Sequence, residues 1–491
     1  MESNWTGRRC LPGSGNRQPR PSVGTLHRLA HWPSRSAVSC RDILGSVSNS
    51  RGGSMKLRVV TGVQVVLRLA ICLAFIGLVQ LSLSAQNGPI EHWVGTWATA
   101  GVLSPSQAPA QTPAGQAPRP PSFNNQTLRQ FVHTSIGGER VRIVLTNTFG
   151  TRALAIGGAH VSLRDKGGAI VSGSDRALTF GGAQTTVIPP GAIIVSDAVN
   201  LTVPQLGDMA IDLYLPGDTA ATPSPLTIHA GARQTNYVSS TGSHLGAPEL
   251  PGATPIQSWF FLARVEVVAP DRVGAIVTLG DSITDGYNST PDTNNRWPDH
   301  LARRLAAASS SMGVLNLGID GNRVLMDGAG VSALARLDRD VLVQAGVTHV
   351  FVLEGINDLG IAALFKDGPP PTPAELIAGH RQLIARAHAR GLKIFAATLL
   401  PYEGTVIPGY FTAAGETTRQ AFNQWLRTGK EYDGIIDFDA VMRDPAQPTK
   451  ILPRYDSGDH LHPSDAGYQA MANAFDLALI KEGLREAPAA R

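Results

Sequence analysis

Residues 275–284 read AIVTLGDSIT. The apolar run at its start predicts a strand buried on both faces, and it places Ser282 at a strand–helix junction. Further apolar runs follow along the chain, with helical stretches between them: VLNLG, THVFVLEG, KIFAAT and GIIDF. This alternation predicts a three-layer α/β/α sandwich with a parallel sheet, over residues 271–486. In such folds the active site lies beyond the carboxyl ends of the strands.

One helix of this half is especially well marked, over residues 373–390. Thr372 is a suitable cap, Pro373 suits the first helical position and Glu375 completes a capping box. Gly391 then ends the helix.

The region before it, residues 86–270, has a different pattern. Short runs rich in β-branched residues are separated by turns with Gly and Pro, and no amphipathic helix of three turns is visible. The runs are LRQFVHTS, RVRIVLTNT, GAHVSLR, TTVIPPGAIIVS, VNLTVPQ and MAIDLYLP. The pattern predicts an all-β, jelly-roll-like sandwich that precedes the α/β domain.

The N-terminus is typical of a leader. Lys56, Arg58 and Arg68 precede an apolar run from Leu69 to Leu83, and small residues follow, so we predict a signal peptide over residues 55–85. A membrane anchor is the alternative, but a span needs ~20 apolar residues. We therefore expect a secreted or periplasmic protein with no stable membrane span after cleavage. Residues 1–54 resemble no domain, and we expect them to lie outside the translated or mature protein, as an over-extended start or, alternatively, a transit peptide.

Charge and cysteine content exclude several classes of function. The first 85 residues hold 11 of the 42 Lys and Arg but only 2 of the 38 Asp and Glu, so the rest of the 491-residue chain carries a net charge of about −5. The basic isoelectric point thus belongs to the leader, and we expect no nucleic-acid partner. All three cysteines precede residue 86, which excludes disulfides, Cys-ligated zinc and a Cys nucleophile from the mature chain.

Four short segments carry polar residues at strand ends or in a terminal loop. They are GDSIT at 280–284, NLGIDGN at 316–322, EGIND at 354–358 and GDHLHP at 458–463. Acyl transfer needs a nucleophile, a base, a group that orients the base, and donors for an oxyanion. The four segments contain one residue of each required type.

We assign roles within these segments on the residue types. Ser282 is the candidate nucleophile, and Asp459 and His462, three residues apart, are the candidate orienting carboxylate and base. The N–H groups of Ser282 and Gly318 and the Asn357 amide are the candidate oxyanion hole. The position of Pro463 predicts that a helix starts there.

Other residues near these segments receive structural interpretations. Asp281 is expected to hydrogen-bond next to the reacting groups rather than to react, and His460 is expected to face away from His462. The remaining histidines have no ligand spacing and no metal-binding motif appears, so we expect no metal and no cofactor.

These blocks carry a family resemblance. GDSIT, the glycine of NLGIDGN, the GIND segment and DHLH resemble, in order, the four signature blocks of the GDSL/SGNH hydrolase superfamily. The resemblance implies that Ser282, Gly318, Asn357 and His462 are the name-giving residues and that Asp459 completes a triad. HWVGTWATA, followed by a β-domain and the GDSL block, more loosely resembles a secreted bacterial subgroup related to acetyl xylan esterases and arylesterases.

The resemblance implies a secreted serine esterase, and we expect a carbohydrate O-acetyl esterase acting on acetylated polysaccharide or oligosaccharide. An aryl-ester or lipid esterase (a lysophospholipase, for example) with the same triad is an alternative. A glycan-binding module with a vestigial hydrolase domain is another. The acidic, aromatic-poor body without a basic amphipathic helix favours the first of these.

Overall fold

The computed structural model describes residues 91–104, 122–221, 224–365 and 370–481. The predicted leader, 1–54, and the predicted signal peptide, 55–85, lie outside the described residues. Among the helices that are described, none combines the length and the apolar character needed to cross a membrane.

The N-terminal region consists of antiparallel β-sheets, as predicted. Its strands are β1 (Trp93–Ala98), β2 (Val102–Leu103), β3 (Asn124–His133), β4 (Gly138–Thr146), β5 (Leu154–Ile156), β6 (Gly158–Leu163), β7 (Arg176–Ala177), β8 (Thr186–Ile188), β9 (Ile193–Val195), β10 (Val199–Val203), β11 (Asp208–Asp218), β12 (Thr227–Ala230), β13 (Asn236–Thr241), β14 (Thr254–Ile256), β15 (Ser258–Phe260) and β16 (Leu262–Val268). The largest sheet has the order β14-β13-β3-β11-β6-β7, and a second one runs β1-β16-β4-β10 with β9 also paired to β4. A three-stranded sheet has the order β15-β12-β2.

The C-terminal region contains the predicted parallel sheet. Its five strands are β17 (Gly274–Gly280), β18 (Met312–Gly318), β19 (Val347–Leu353), β20 (Lys393–Ala397) and β21 (Gly434–Ile436), and a small hairpin is formed by β22 (Arg443–Asp444) and β23 (Gln447–Ile451). The order is β18-β17-β19-β20-β21. Gly280 is paired with both Gly318 and Leu353, so three strands end at one level. The segments that follow these strands therefore emerge at the same edge of the sheet.

Helices cover this sheet. They are α1 (Ser282–Asp285), α2 (Trp297–Ala307), α3 (Ala333–Arg336), α4 (Ile356–Phe365), α5 (Pro373–His388), α6 (Ala413–Gly429), α7 (Phe438–Met442), α8 (Asp465–Asn473) and α9 (Ala478–Lys481). Every residue of β17 is buried although its side chains alternate between the two faces, so both faces are covered, as the predicted layers require. The capping box of Thr372 and Glu375 is present at the start of α5.

One local prediction was wrong. Helix α8 begins at Asp465 with Ser464 as its cap, and so Pro463 precedes the helix instead of starting it. The Ser464 hydroxyl accepts a hydrogen bond from the N–H of Gly467, which fixes the start of the helix two residues later.

The two regions are in contact. Strand β18 is the edge of the parallel sheet, and the Val314 N–H on it donates to the Ser135 hydroxyl, 2.9 Å away. Gly95 of β1 donates its N–H to the Ala345 carbonyl at 2.9 Å, and a side chain at Gly95 would collide with Leu315. The boundary near residue 270 and the jelly-roll topology stay predictions.

Candidate active site

Ser282 lies where β17 gives way to α1. Asp281 caps this short helix, because its carboxylate accepts the N–H of Ile283 at 2.9 Å. The Ser282 carbonyl accepts the N–H groups of Gly286 and Tyr287, so the turn is held on both sides. The Ser282 N–H itself has no hydrogen-bond partner among the described residues. The serine is thereby fixed, with a free backbone donor, at the carboxyl edge of the sheet.

A continuous hydrogen-bond chain links Ser282, His462 and Asp459. The Oγ of Ser282 lies 2.8 Å from Nε2 of His462, and Nδ1 of His462 lies 2.6 Å from Oδ2 of Asp459. Both distances are within the range for proton transfer between positioned groups. Ser282 and His462 come from segments 180 positions apart along the chain, and the fold brings them together.

Asp459 sits among hydrogen-bond donors. Its Oδ1 accepts the N–H groups of Leu461 and His462, and its Oδ2 also accepts the side-chain amide of Asn288 at 2.9 Å. Burial raises the pKa of Asp459, but the hydrogen bond and charge of His462 and these N–H groups outweigh it and leave the pKa well below its ordinary value. The carboxylate is therefore ionised and oriented toward the imidazole.

Asn357 is the second residue of α4, which begins shortly after the end of β19. Its Oδ1 accepts a hydrogen bond from the buried hydroxyl of Tyr410 at 2.7 Å. Its Nδ2 is buried and has no partner among the described residues. Burial, with the charge of Asp281 next, raises the pKa of Tyr410 well above its ordinary value, so the hydroxyl stays protonated and can donate. The amide nitrogen is left available to an incoming acceptor.

The N–H of Gly318 already takes part in a hydrogen bond within the protein. This N–H donates to Oδ1 of Asn316 at 2.9 Å, and it is therefore not free to receive a substrate oxygen. A Cβ at Gly318 would lie 2.2 Å from the backbone nitrogen of Asp285, so the glycine is required for the approach of β18 to α1. The predicted oxyanion role of Gly318 finds no support in this arrangement.

Gly321, the second glycine of NLGIDGN, offers a backbone donor instead. It has φ of +72°, and its N–H has no partner among the described residues. The loop that contains it is tied to α4, because both oxygens of Asp358 accept backbone N–H groups, from Val324 at 2.8 Å and Leu325 at 3.0 Å. Asp358 follows Asn357 directly, so the loop is held beside the residue whose amide is free. A second glycine after a strand end is the sequence signal for this position.

Buried ionisable groups lie beneath the site. Burial, and then the charge of Asp358, raises the pKa of Asp281 to about 7. Burial, and then the charge of Asp281, also raises the pKa of Glu354 well above its ordinary value. Arg336 is buried with them and donates to the carbonyls of Leu317 and Gly280, which end two neighbouring strands. Asp281 acts as the cap of helix α1.

His460 lies on the other side of the loop. Its Nδ1 contacts the carboxylate of Asp456, and half of its side chain is exposed, while His462 is buried. Among the described residues, no group of three or more His, Cys, Asp or Glu side chains is placed to hold a metal ion.

A residue of the N-terminal β-rich region, before β17, also contacts α1, the helix that carries Ser282. The sequence pattern does not predict this contact. Nε2 of His229, on β12, lies 3.0 Å from Oδ1 of Asp285 in α1. Burial lowers the pKa of His229, but the charge and hydrogen bond of Asp285 and the hydrogen bond to the Ala100 carbonyl together outweigh it, and the pKa rises above its ordinary value. No local spacing in the sequence signals a contact between residues 56 positions apart.

Residues 278–470 match the model of the GDSL-like Lipase/Acylhydrolase family. The C-terminal part of the chain belongs to this family. As a GDSL-family acylhydrolase, the protein is a carboxylic ester hydrolase, and its Ser282–His462 hydrogen bond is consistent with a catalytic pair.

Several solved structures resemble part of the chain. An aryl esterase of M. smegmatis has 17% identity and a TM-score of 0.35, covering 43% of this chain and 100% of its own. A carbohydrate acetylesterase family member from Sinorhizobium meliloti has 17% identity and a TM-score of 0.34, covering 43% and 97%. A lipase/acylhydrolase from Enterococcus faecalis has 23% identity and a TM-score of 0.33, covering 44% and 100%. No curated protein matches the sequence.

Proposed function

We propose that the protein is a serine esterase that removes O-acetyl groups from carbohydrate through an acyl-enzyme on Ser282. The observation that carries the proposal is the hydrogen-bond chain from Ser282 through His462 to Asp459. A serine hydroxyl is a weak nucleophile alone, and a hydrogen-bonded imidazole activates it. The ionised Asp459 orients the imidazole and stabilises the cation that forms on it.

The first half-reaction forms the acyl-enzyme. His462 takes the Ser282 proton on Nε2 while Oγ attacks the ester carbonyl, and the carbonyl oxygen becomes an oxyanion. When the tetrahedral intermediate collapses, the bond to the alcohol oxygen breaks and that oxygen takes the proton from His462. Water then attacks the acyl group by the same route, with His462 accepting a proton from the water and returning it to Ser282.

The oxyanion is proposed to rest on three neutral donors: the Ser282 N–H, the Asn357 Nδ2 and the Gly321 N–H. Each lacks a hydrogen-bond partner among the described residues. Donors that are free and fixed before the substrate arrives stabilise the developing charge without reorganisation. Gly321 replaces Gly318 in this proposal, because the Gly318 N–H is already bound to Asn316.

The proposal for an acetylated carbohydrate rests on composition and on the looser family resemblance. The chain outside its leader is acidic, and aromatic residues make up 6% of the whole sequence. Secretion or export to the periplasm is proposed with it, since polysaccharide is found outside the cell.

The test is acetate release from a panel of acetylated polysaccharides and short-chain esters. Ser282→Ala should abolish release while the thermal melt stays at the wild-type temperature. Ser172→Ala, at an exposed turn of the β-rich region, is the matched control and should keep wild-type turnover. Full turnover in Ser282→Ala would overturn the nucleophile, and release from simple esters without release from any polysaccharide would overturn the substrate class.

An esterase for longer acyl chains is the second candidate. A cavity of about 620 Å³ lies beside α4 and α5, and its lining includes Leu325, Met326, Leu334 and Ala362. It reaches Asp358, the neighbour of Asn357. Such a cavity would suit an alkyl chain. Activity would then hold or rise for acyl chains longer than four carbons, whereas an acetyl esterase loses activity steeply at those lengths. The glycan-binding alternative with a vestigial hydrolase domain is disfavoured, because the proton-transfer chain is intact.

A further inference from the structure

The loop between β12 and β13 is fastened to the loop that follows α1. The carboxylate of Asp292 accepts the side-chain amide of Gln234 and the N–H of Thr235, both at 2.6 Å. The Thr235 hydroxyl donates to the other oxygen of Asp292 at 2.6 Å. In return, the Asp292 N–H donates to the carbonyl of Arg233 at 2.9 Å. Four hydrogen bonds thus hold residues 233–235 of the β-rich region in a fixed position on the GDSL region.

This attachment places the Arg233 side chain over Tyr287. The guanidinium carbon lies 4.4 Å from the centre of the tyrosine ring. The same ring lies 4.5 Å from the ring of His462, tilted by 41°. Tyr287 is itself held, because the Tyr468 hydroxyl donates to its backbone carbonyl at 2.6 Å. A cation of the β-rich region and the base therefore contact the same aromatic ring.

The guanidinium of Arg233 has no acceptor among the described residues. Among the described residues it forms no ion pair and no hydrogen bond beyond its contact with the ring. Asp320 is the nearby carboxyl that interacts with its charge, but burial and then the charge of Asp285 raise the pKa of Asp320 to about 8, so this group is mostly neutral at pH 7. Asp285 is engaged by His229. Five N–H donors of Arg233 remain for a ligand.

The chemistry of the site decides which part of a substrate would meet this arginine. His462 must deliver a proton to the leaving oxygen, so the alcohol part of the ester lies on the imidazole side. The carbonyl oxygen of the ester faces the Ser282 N–H and the Asn357 amide. Arg233 is on the imidazole side, because it contacts the same Tyr287 ring as His462. The alcohol moiety is therefore the part that reaches it.

We propose that Arg233 forms an anion-binding subsite that receives a carboxylate on the alcohol moiety of the ester. A guanidinium binds carboxylate through two parallel N–H donors, which neutral hydroxyls do not match. The favoured substrates are then acyl esters of hydroxy acids, acidic sugars among them. This inference rests on the proposed function and narrows its substrate class.

The test compares two esters that differ by one charge, phenyl acetate and para-carboxyphenyl acetate. The measured quantity is the ratio of kcat/KM for the charged ester to kcat/KM for the neutral one. Arg233→Gln should lower this ratio at least about tenfold, because a hydrogen-bonded charge pair is lost. Arg233→Lys should lower it less, since the charge remains but the paired donors do not. Arg272→Gln, an exposed arginine just before the amino end of β17, is the matched control and should leave the ratio unchanged.

The outcomes separate this inference from the proposed function. If the wild type hydrolyses neither ester, the proposed function fails. If the wild type hydrolyses both and the ratio is the same in Arg233→Gln, the anion subsite fails alone. A fall of kcat/KM for both esters by one common factor would also overturn it, because it would show that Arg233 merely supports Tyr287 and His462.

Discussion

The hydroxyl of Tyr410 donates to Oδ1 of Asn357 across 2.7 Å, and both side chains are buried. A carboxamide whose oxygen is held by a donor must present its nitrogen elsewhere, and here Nδ2 is left without a partner among the described residues. Tyr410 comes from the segment between β20 and α6, 53 residues after Asn357. It is therefore a positioning residue for an oxyanion donor that lies on a different element.

Tyr410→Phe should lower kcat for phenyl acetate by roughly tenfold, with a smaller change in KM. The amide then loses the bond that orients it, while Asn357→Ala, which removes the donor itself, should cost about 10²–10³ in kcat. Steady-state kinetics of both variants measure the two effects.

Tyr402→Phe is the matched control for this prediction. Its hydroxyl is buried nearby but has no hydrogen-bond partner among the described residues, so its removal should leave kcat near the wild-type value. An equal loss of kcat in the two tyrosine variants would contradict the positioning role of Tyr410.

Asp459→Asn should lower kcat by about 10⁴, because an amide cannot both hold the imidazole tautomer and stabilise its cation. The carboxylate accepts hydrogen bonds from the N–H groups of Leu461, His462 and Asn288. An amide NH2 group in its place cannot accept these bonds. Asp456→Asn, at the other Asp–His contact of this loop, is the control. A loss of the same size at both positions would assign the effect to the shape of the loop.

Gly318→Ala should destabilise the fold by about 1–3 kcal/mol through overpacking. The added methyl would lie 2.2 Å from the backbone nitrogen of Asp285 and force α1 away from β18. Urea unfolding measures the change. Gly217→Ala, where a methyl group would have open space, should change the midpoint little. A stable Gly318→Ala variant with low activity would instead favour a direct role for this glycine.

The stability of the protein should fall at mildly acidic pH through His349, on β19. Burial lowers the pKa of its imidazole to about 4, against an ordinary value of 6.5. Between these pH values the unfolded chain binds a proton that the folded chain does not, so the free energy of unfolding decreases as the pH falls from 6.5 to 4, by about 3 kcal/mol at most.

His349→Phe should remove this contribution, since a phenyl ring keeps the stacking on Phe395 and has no proton to bind. Thermal melts of wild type and variant at pH 7 and pH 4.5 give the comparison. The variant should lose less stability between the two values, and parallel losses would contradict the assignment.

Much of the C-terminal fold was predictable because its signals are local. The apolar run before Ser282 gives β17, and the Thr372 and Glu375 pair gives the start of α5. Strands that run parallel bring their carboxyl ends together, so four separated segments could be expected to meet. The three-residue spacing of Asp459 and His462 also suits one hydrogen-bonded turn.

The rest of the site depends on tertiary contacts that the spacing of residues along the sequence does not indicate. Asn316 lies two residues before Gly318, yet only the folded loop shows that its side chain accepts the Gly318 N–H. Tyr410 and Arg233 reach the site from segments without a distinctive motif, because tertiary contacts position them. The shift of the α8 start past Pro463 reflects a cap, Ser464, that competes with the proline.

Strand β18 has a consequence for any attempt to shorten the protein. A fragment that began at residue 271 would retain Ser282, His462 and Asp459, but it would lose Ser135 and Gly95, which lie against this edge strand. Unpaired backbone groups and apolar side chains on an uncovered edge recruit further strands from other molecules. We expect such a fragment to precipitate, so poor solubility and not faulty chemistry would account for any loss of its activity.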